Sequence, residues 1–373
     1  MKSIAMLDKE EIARYARHIS LENVGLEGQQ KLNSAKVLVV GAGGLGSPVL
    51  QYLTAAGVGT IGIIDQDVVD ASNLQRQVLF STGDIGKSKV EVAVERLQQL
   101  NPFLEFVAYK VALNTENALE LLQDFEIIID GTDNFPTRYL VNDACVILGK
   151  PFVHGSIFKF QGQVSVFNYQ NGPSYRCLYP EPPSSEEAPN CSEVGVLGVL
   201  PGVVGTRMAN ECLKMILGIG SVLSGQVEVV DLLQNQHLQL KINRNESNFE
   251  RTKLEESYDA IQNDAMELKA TITVQELKQL LDAQPNLTIL DVREPFELEI
   301  CSFENSLHIP LGQIPTRIPD IPKNQPIVAV CHHGIRSANA IAFLEQNGFD
   351  KLSNLTGGIH AWAVEIDSNM ATY

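Results

Sequence analysis

Two groups of residues in this chain have the types and spacing to do chemistry on anions. The first begins in Val37-Leu38-Val39-Val40-Gly41-Ala42-Gly43-Gly44-Leu45-Gly46. Four branched apolar residues in a row suit a strand covered on both faces. Glycines at 41, 43 and 46 let the following turn approach a phosphate, with the amides of a helix from Ser47 aimed at it. Nineteen residues beyond Gly46, the run Ile61-Gly62-Ile63-Ile64 ends in Asp65, where a carboxylate can hold a ribose hydroxyl. Further on come Asp67, Ser72-Asn73-Leu74-Gln75-Arg76, Lys89 and Thr132-Asp133-Asn134. Two cations and two further acids around one nucleotide pocket suit a triphosphate and its magnesium ion better than a nicotinamide. Adenylate formation needs such a set, because charge spreads onto the departing pyrophosphate.

The second group is Cys331-His332-His333-Gly334-Ile335-Arg336-Ser337, between a strand pattern at 326–330 and a helical pattern to about Asn347. Loop amides and a helix dipole converging on the sulfur stabilise a thiolate or a persulfide anion. Arg336 adds fixed positive charge. A phosphatase loop also cradles an anion on cysteine and arginine, but it places one more residue between them, and the smaller ring here favours sulfur. His332 and His333 read as loop donors, and Cys301 as packing.

The elements that must position these groups follow from periodicity. Strands are expected at 37–41, 61–65, 104–109 and 126–130, and helices at 46–56, 87–100 and 115–122, an alternation that indicates an α/β domain with a mostly parallel sheet. A strand pair at 151–157 and 162–168, a buried helix from Val196 to Leu217 interrupted at Pro201 and Gly202, and strands at 226–231 and 237–242 complete it. Near the start, Asp8-Lys9-Glu10-Glu11 caps a helix to about Ile19 with an apolar stripe of Ile12, Tyr15, Ala16 and Ile19. Spacing alone makes Arg14 and Arg17 solvated arginines. The loop 180–189, with four prolines and three acids, is a surface crossover that delivers Cys191. Asn243 to Leu268 is polar and charge-rich. The chain therefore divides into a first domain over 1–245, a linker over 246–268 and a second, smaller α/β domain over 269–373.

Composition bounds the function. A formal charge of −17 disfavours a nucleic-acid partner. No apolar run approaches the ~20 residues that span a bilayer, and Met1 to Ile19 has no signal-peptide core, so neither membrane nor secretion is expected. Six scattered cysteines suit a reducing cytoplasm.

The motifs quoted above, with Gln77 and Gly86-Lys87-Ser88-Lys89-Val90-Glu91, resemble the MoeB/ThiF family over about residues 8 to 243. That family resembles ubiquitin-activating enzymes and adenylates the C-terminal Gly-Gly of a small ubiquitin-fold sulfur carrier, in molybdopterin, thiamine, cysteine or tRNA sulfur pathways. The resemblance implies a Rossmann-like domain binding ATP and Mg2+ through Gly41, Gly43, Gly44, Gly46, Asp65, Asp67, Asn73, Arg76, Lys89, Asp133 and Asn134. In it Asp65 holds the ribose, Asn73 and Arg76 contact the phosphates, Lys89 stabilises them, and Asp133 is the magnesium-linked acid. It also implies a homodimer in which Arg17 reaches the neighbouring subunit's triphosphate. Relatives with a C-terminal sulfurtransferase domain use the position of Cys191 as a catalytic thiol, although no nearby cation in the sequence lowers its pKa. Asp291-Val292-Arg293-Glu294-Pro295, the Cys331 loop and Thr356-Gly357-Gly358-Ile359-His360-Ala361-Trp362 resemble a rhodanese domain over about 271 to 365.

One departure stands out. Family members commonly bind a structural zinc through two Cys-x-x-Cys pairs. Here the first pair is Ser174-Tyr175-Arg176-Cys177, and 243–250 holds no cysteine. One thiolate cannot supply a tetrahedral site, so no zinc is expected. The combined reading is an adenylyltransferase and sulfurtransferase. A persulfide donor such as a cysteine desulfurase loads Cys331, and that sulfur attacks the activated carrier. The rivals are an NAD-linked oxidoreductase with an appended thiol domain, and a non-catalytic scaffold that binds nucleotide and a ubiquitin-like partner.

Overall fold

In the computed structural model, which describes residues 7–182, 195–258, 271–284 and 286–373, the run before the glycine turn is a central strand. β1 (Lys36–Val40) is buried at every position but its first. Its parallel neighbours are β2 (Thr60–Ile64) and β4 (Ile127–Asp130), with β3 (Glu105–Tyr109) outside β2 and β5 (Phe152–Phe158) outside β4. β6 (Gln161–Phe167), β7 (Gln226–Asp231) and β8 (Gln236–Lys241) continue the sheet antiparallel. The order is β3-β2-β1-β4-β5-β6-β7-β8. Apolar clusters cover both faces, one around Val37, Val39, Ile61 and Ile63 and the other around Leu38, Val40, Phe152 and Phe167. Register places Val40 beside Ile64 and Asp130, so three strand ends open their loops at one edge.

Helices Gly46–Ala56 and Lys89–Leu100 fall close to expectation. Two regions differ. The helix over 196–217 is unbroken: it starts at Val199, so Pro201 lies in the first turn, where it costs no internal hydrogen bond. The N-terminal helix splits at Tyr15 into Lys9–Arg14 and Ala16–Ile19. Tyr15 alone of the expected stripe is buried, its hydroxyl accepting from Asn101 Nδ2 at 2.8 Å, while Ile12 is 41% exposed.

The stretch 246–258, assigned to a linker for its polarity, is bound to the first unit by that polarity. Asp143, almost fully buried, accepts Arg176 at 2.8 and 2.9 Å and the Tyr258 hydroxyl at 2.6 Å, and Arg251 lies 3.4 Å away. Glu255 accepts a further bond from Arg176 at 3.0 Å. Tyr258 is 4% exposed and joins the apolar cluster around Phe152.

The second unit is a five-stranded parallel sheet. β9 (Thr271–Ile272), β10 (Thr288–Asp291), β11 (Leu307–His308), β12 (Ile327–Val330) and β13 (Leu352–Leu355) lie in the order β11-β10-β12-β13-β9. Apolar clusters again cover both faces. No helix among the described residues is long and apolar enough to cross a membrane.

Candidate active sites

In the first unit the loops after β1, β2 and β4 enclose a cleft of about 310 Å³. Two of the glycines in its turn are sterically obligatory. Gly41 has φ +92°, and a Cβ on Gly46 would sit 1.9 Å from the Gly41 carbonyl oxygen. Gly41, Gly43 and Gly44 line the cleft, whereas Gly46 lies behind it as the contact that lets the helix begin. Asp65 also lines it, accepting the Ala42 and Asp67 amides at 2.8 Å each. Burial pushes the Asp65 carboxyl up, against the pull of Lys89 and those two amides.

The cations and acids expected here are brought together. Lys89 is buried and donates to Asp67 at 2.9 Å. Arg76 Nη1 reaches the Ser72 carbonyl at 3.2 Å. Asn134 caps the helix Phe135–Leu148, accepting from Thr137 N at 2.9 Å. All four line the cleft with Asp133, which is exposed. Asn73 is not among the lining residues. Arg17 is exposed on its short helix and lines no part of its own chain's cleft. Cys191 lies outside the described residues.

Sequence reasoning missed two cations of this cleft. Arg138 is one helical turn beyond the Asn134 cap, and that i, i+4 spacing carried the signal. Lys159 sits at the tip of the β5–β6 hairpin with φ 53°, and nothing in the order of residues brings that tip to the nucleotide turn.

For magnesium, the donor set fits at one position. Asp67 is engaged by Lys89 and Asp65 by two amides, while Asp133 is an exposed carboxylate in the cleft lining, the hard oxygen donor that this ion takes. For zinc, the residues do not fit. Cys177 Sγ receives the Ser174 and Asn245 amides at 3.4 and 3.3 Å and Asn248 Nδ2 at 3.4 Å. Amide groups are not zinc ligands, and with Ser174 in the pair and no cysteine in 243–250 one thiolate is left where a tetrahedral site needs four donors. Burial works against the Cys177 thiolate, but these bonds and one from the Ser174 hydroxyl outweigh it and hold the thiol below its usual value.

In the second unit Cys331 follows β12 and is 1% exposed. Its Sγ accepts from Gly334 N at 3.0 Å and lies 3.4 Å from the Ser337 hydroxyl. Gly334, at φ +101°, turns the loop into the helix Ile335–Gln346. The Thr356–Trp362 motif buttresses it from below. Ile359 N and His360 N donate to the Cys331 and His332 carbonyls at 2.9 and 3.1 Å, and a Cβ on Gly358 would lie 2.2 Å from the His332 oxygen.

Two expectations change here. Arg336 is paired bidentately with Glu297 at 2.7 and 2.8 Å, so its charge reaches the loop already partnered. Burial opposes the Glu297 carboxylate, but Arg336 and further bonds bring it down to about 2. The histidines act as a ring cluster more than as loop donors. His332 stacks on Tyr373 at 4.2 Å and 6°, with His333 and His360 beside it, and burial and its neighbours lower His332 to about 4. Cys301 packs as expected, beside buried Arg293, whose guanidinium is held by Asp291.

A nucleotide cleft built for phosphates, on one chain with a loop built for anionic sulfur, defines an acyl-activating enzyme coupled to sulfur transfer. The chain belongs to the ThiF family, which matches residues 15–251, and carries a rhodanese-like domain matching 273–365. It is 42% identical to a probable adenylyltransferase/sulfurtransferase MoeZ of Mycobacterium tuberculosis over 98% of this chain and 96% of that one. It is 38% identical to the adenylyltransferase and sulfurtransferase MOCS3 of Xenopus laevis, covering 98% and 89%. A sulfur carrier protein adenylyltransferase of Thermus thermophilus is 54% identical over 64% of this chain and 89% of its own. Among solved structures, Escherichia coli MccB with MccA-N7isoASN shares the fold, at a TM-score of 0.56 and 23% identity over 62% of this chain and 72% of that one.

Proposed function

We propose that the protein adenylates the C-terminal glycine of a ubiquitin-fold sulfur carrier and then converts it to a thiocarboxylate. The observation that carries this reading is the convergence of Arg76, Lys89 and Asp133 on the Gly41–Gly44 turn. The family match sets aside the oxidoreductase reading. In the first step a carboxylate oxygen of the carrier attacks the α-phosphorus of ATP, and pyrophosphate leaves from an acyl-adenylate. Asp65 holds the ribose. Arg76 and Lys89 steady the charge that moves onto pyrophosphate, in a site where fixed cations need no reorganisation. Asp133 would hold a magnesium ion, whose contribution is to neutralise phosphate charge.

In the second step the outer sulfur of a Cys331 persulfide attacks the activated carbonyl and AMP leaves, giving an acyl disulfide. The Cys191 thiolate then attacks the Cys331 sulfur, releasing the carrier thiocarboxylate and leaving a Cys191–Cys331 disulfide for a cellular thiol to reduce. A cysteine desulfurase or similar persulfide donor reloads Cys331. A homodimer places Arg17 at the partner's triphosphate; its exposure away from its own cleft supports that role. Full-length protein mixed with ATP, Mg2+ and a Gly-Gly-ended carrier is expected to exchange labelled pyrophosphate into ATP, and to lose that exchange on Arg76→Ala. An active protein without exchange, or exchange indifferent to Arg76, would sink the reading.

A further inference from the structure

Behind the nucleotide cleft lies a buried acid and imidazole pair to which the steps above give no role. Asp130 ends β4 and is wholly buried. Its Oδ1 accepts the Thr132 amide at 3.1 Å and the Thr132 hydroxyl at 2.6 Å, and its Oδ2 accepts His154 Nδ1 at 2.8 Å. Strand register sets the pair, since Asp130 and His154 are direct neighbours across β4 and β5. Burial opposes the Asp130 carboxylate, but the bond from His154, with the charges nearby and the Thr132 bonds, keeps its carboxyl below the usual value.

His154 is 2% exposed, and burial lowers its pKa against the pull of Asp130. A carboxylate only accepts, so Nδ1 carries a hydrogen. Nε2 is left buried with no hydrogen-bond partner among the described residues. Two rings pack against the imidazole, with centroids 4.9 Å (Tyr175) and 6.1 Å (Phe167) from its own. A leucine would fill this place without stranding a nitrogen. What the chain retains by using histidine is the donor to Asp130.

That donor acts on one peptide. Thr132 has its amide and hydroxyl held by Asp130 and its carbonyl held by Arg138 Nη2 at 3.1 Å. Asp133 and Asn134 follow immediately and line the cleft, whereas neither His154 nor Asp130 does. We propose that His154 is a positioning residue for adenylation: through Asp130 and Thr132 it fixes the loop that presents Asp133 to the nucleotide's phosphates. The inference rests on the adenylation reading above.

The test compares His154→Leu with His154→Asn, whose Nδ2–H stands where Nδ1–H stood. Pyrophosphate exchange is measured on the full chain with ATP, Mg2+ and a Gly-Gly-ended carrier, separating kcat from KM for ATP. Thiosulfate-to-cyanide sulfur transfer on the same samples reports the second unit. The leucine variant is expected to lose roughly 30-fold or more in kcat, with KM within about 3-fold and sulfur transfer unchanged; the asparagine variant is expected to recover most of kcat. Equal kcat in the two variants, or a loss confined to KM, would overturn the proposal. If the leucine variant does not fold, Thr132→Val, which exchanges the hydroxyl for a methyl group, must lower kcat alone, and an unchanged kcat overturns it. A wild-type protein without exchange would overturn the adenylation reading itself, whereas an active wild type with equivalent variants overturns only this inference.

Discussion

At the scale of single residues, the second site stands on side chains whose ionisation is set by their neighbours. His332 is brought down to about 4 by burial, His333 and His360. An unfolded histidine takes its proton near 6.5. Between those values the unfolded chain binds more protons than the folded one, so stability falls as pH drops from about 6.5 to 4. His332→Phe keeps a ring against Tyr373 and removes that share, of order 1 kcal/mol after solvent screening. Trp362, the chain's single tryptophan, lies in the second unit against Phe303 and reports its unfolding selectively. Denaturant titrations followed by its fluorescence at pH 7 and 4.5 should show a smaller difference in the variant, and an undiminished difference would refute the assignment. Such residue-level detail was only partly legible. The Cys331 loop announced itself by its spacing, but Glu297, which partners Arg336, is 39 residues distant and entered the site through the fold alone.

At the scale of elements, both sites depend on glycines that permit one backbone to touch another. Gly46 lets the first helix start against the Gly41 carbonyl, and Gly358 lets the Thr356–Trp362 motif support the Cys331 and His332 carbonyls. A methyl group at either position must displace backbone. Gly46→Ala should therefore lower pyrophosphate exchange by roughly 100-fold while leaving thiosulfate sulfur transfer intact, and Gly358→Ala should do the reverse. A variant that lost both activities, or neither, would count against the local account. Elements with a strong period or a bounded apolar run, β1, β2, β4 and β12, were readable from sequence. β9 and β11, with two residues each, offer no period to read, and β13, as long as β12, has Ser353 and Asn354 in place of an apolar run. The break at Tyr15 was hidden because a buried hydroxyl bond to Asn101 overrides the helical stripe.

At the scale of the whole molecule, polarity misled about where the first unit ends. Charged residues over 246–258 looked like solvated tether and are instead partners of Asp143, Arg176 and the apolar cluster around Phe152. Asp143→Ala leaves Arg176 short of its carboxylate and Tyr258 short of its acceptor. Loss of one member of such a buried network is expected to destabilise the first unit by about 3–5 kcal/mol. Calorimetry of the full chain should show its transition lowered while the Trp362 signal keeps its midpoint; an unmoved first transition would show the network to be dispensable.

The Tyr258 anchor also says where a protease should not cut. A nick near residue 245 would strip off a tail that plugs a buried acid, and the surviving core would be sticky and short-lived. Cleavage just beyond Tyr258 would release a catalytic half with its seam still closed. Mass spectrometry of a limited digest should therefore find no early cut between 245 and 258, and a shortened gene meant to yield the isolated adenylating half should include Tyr258.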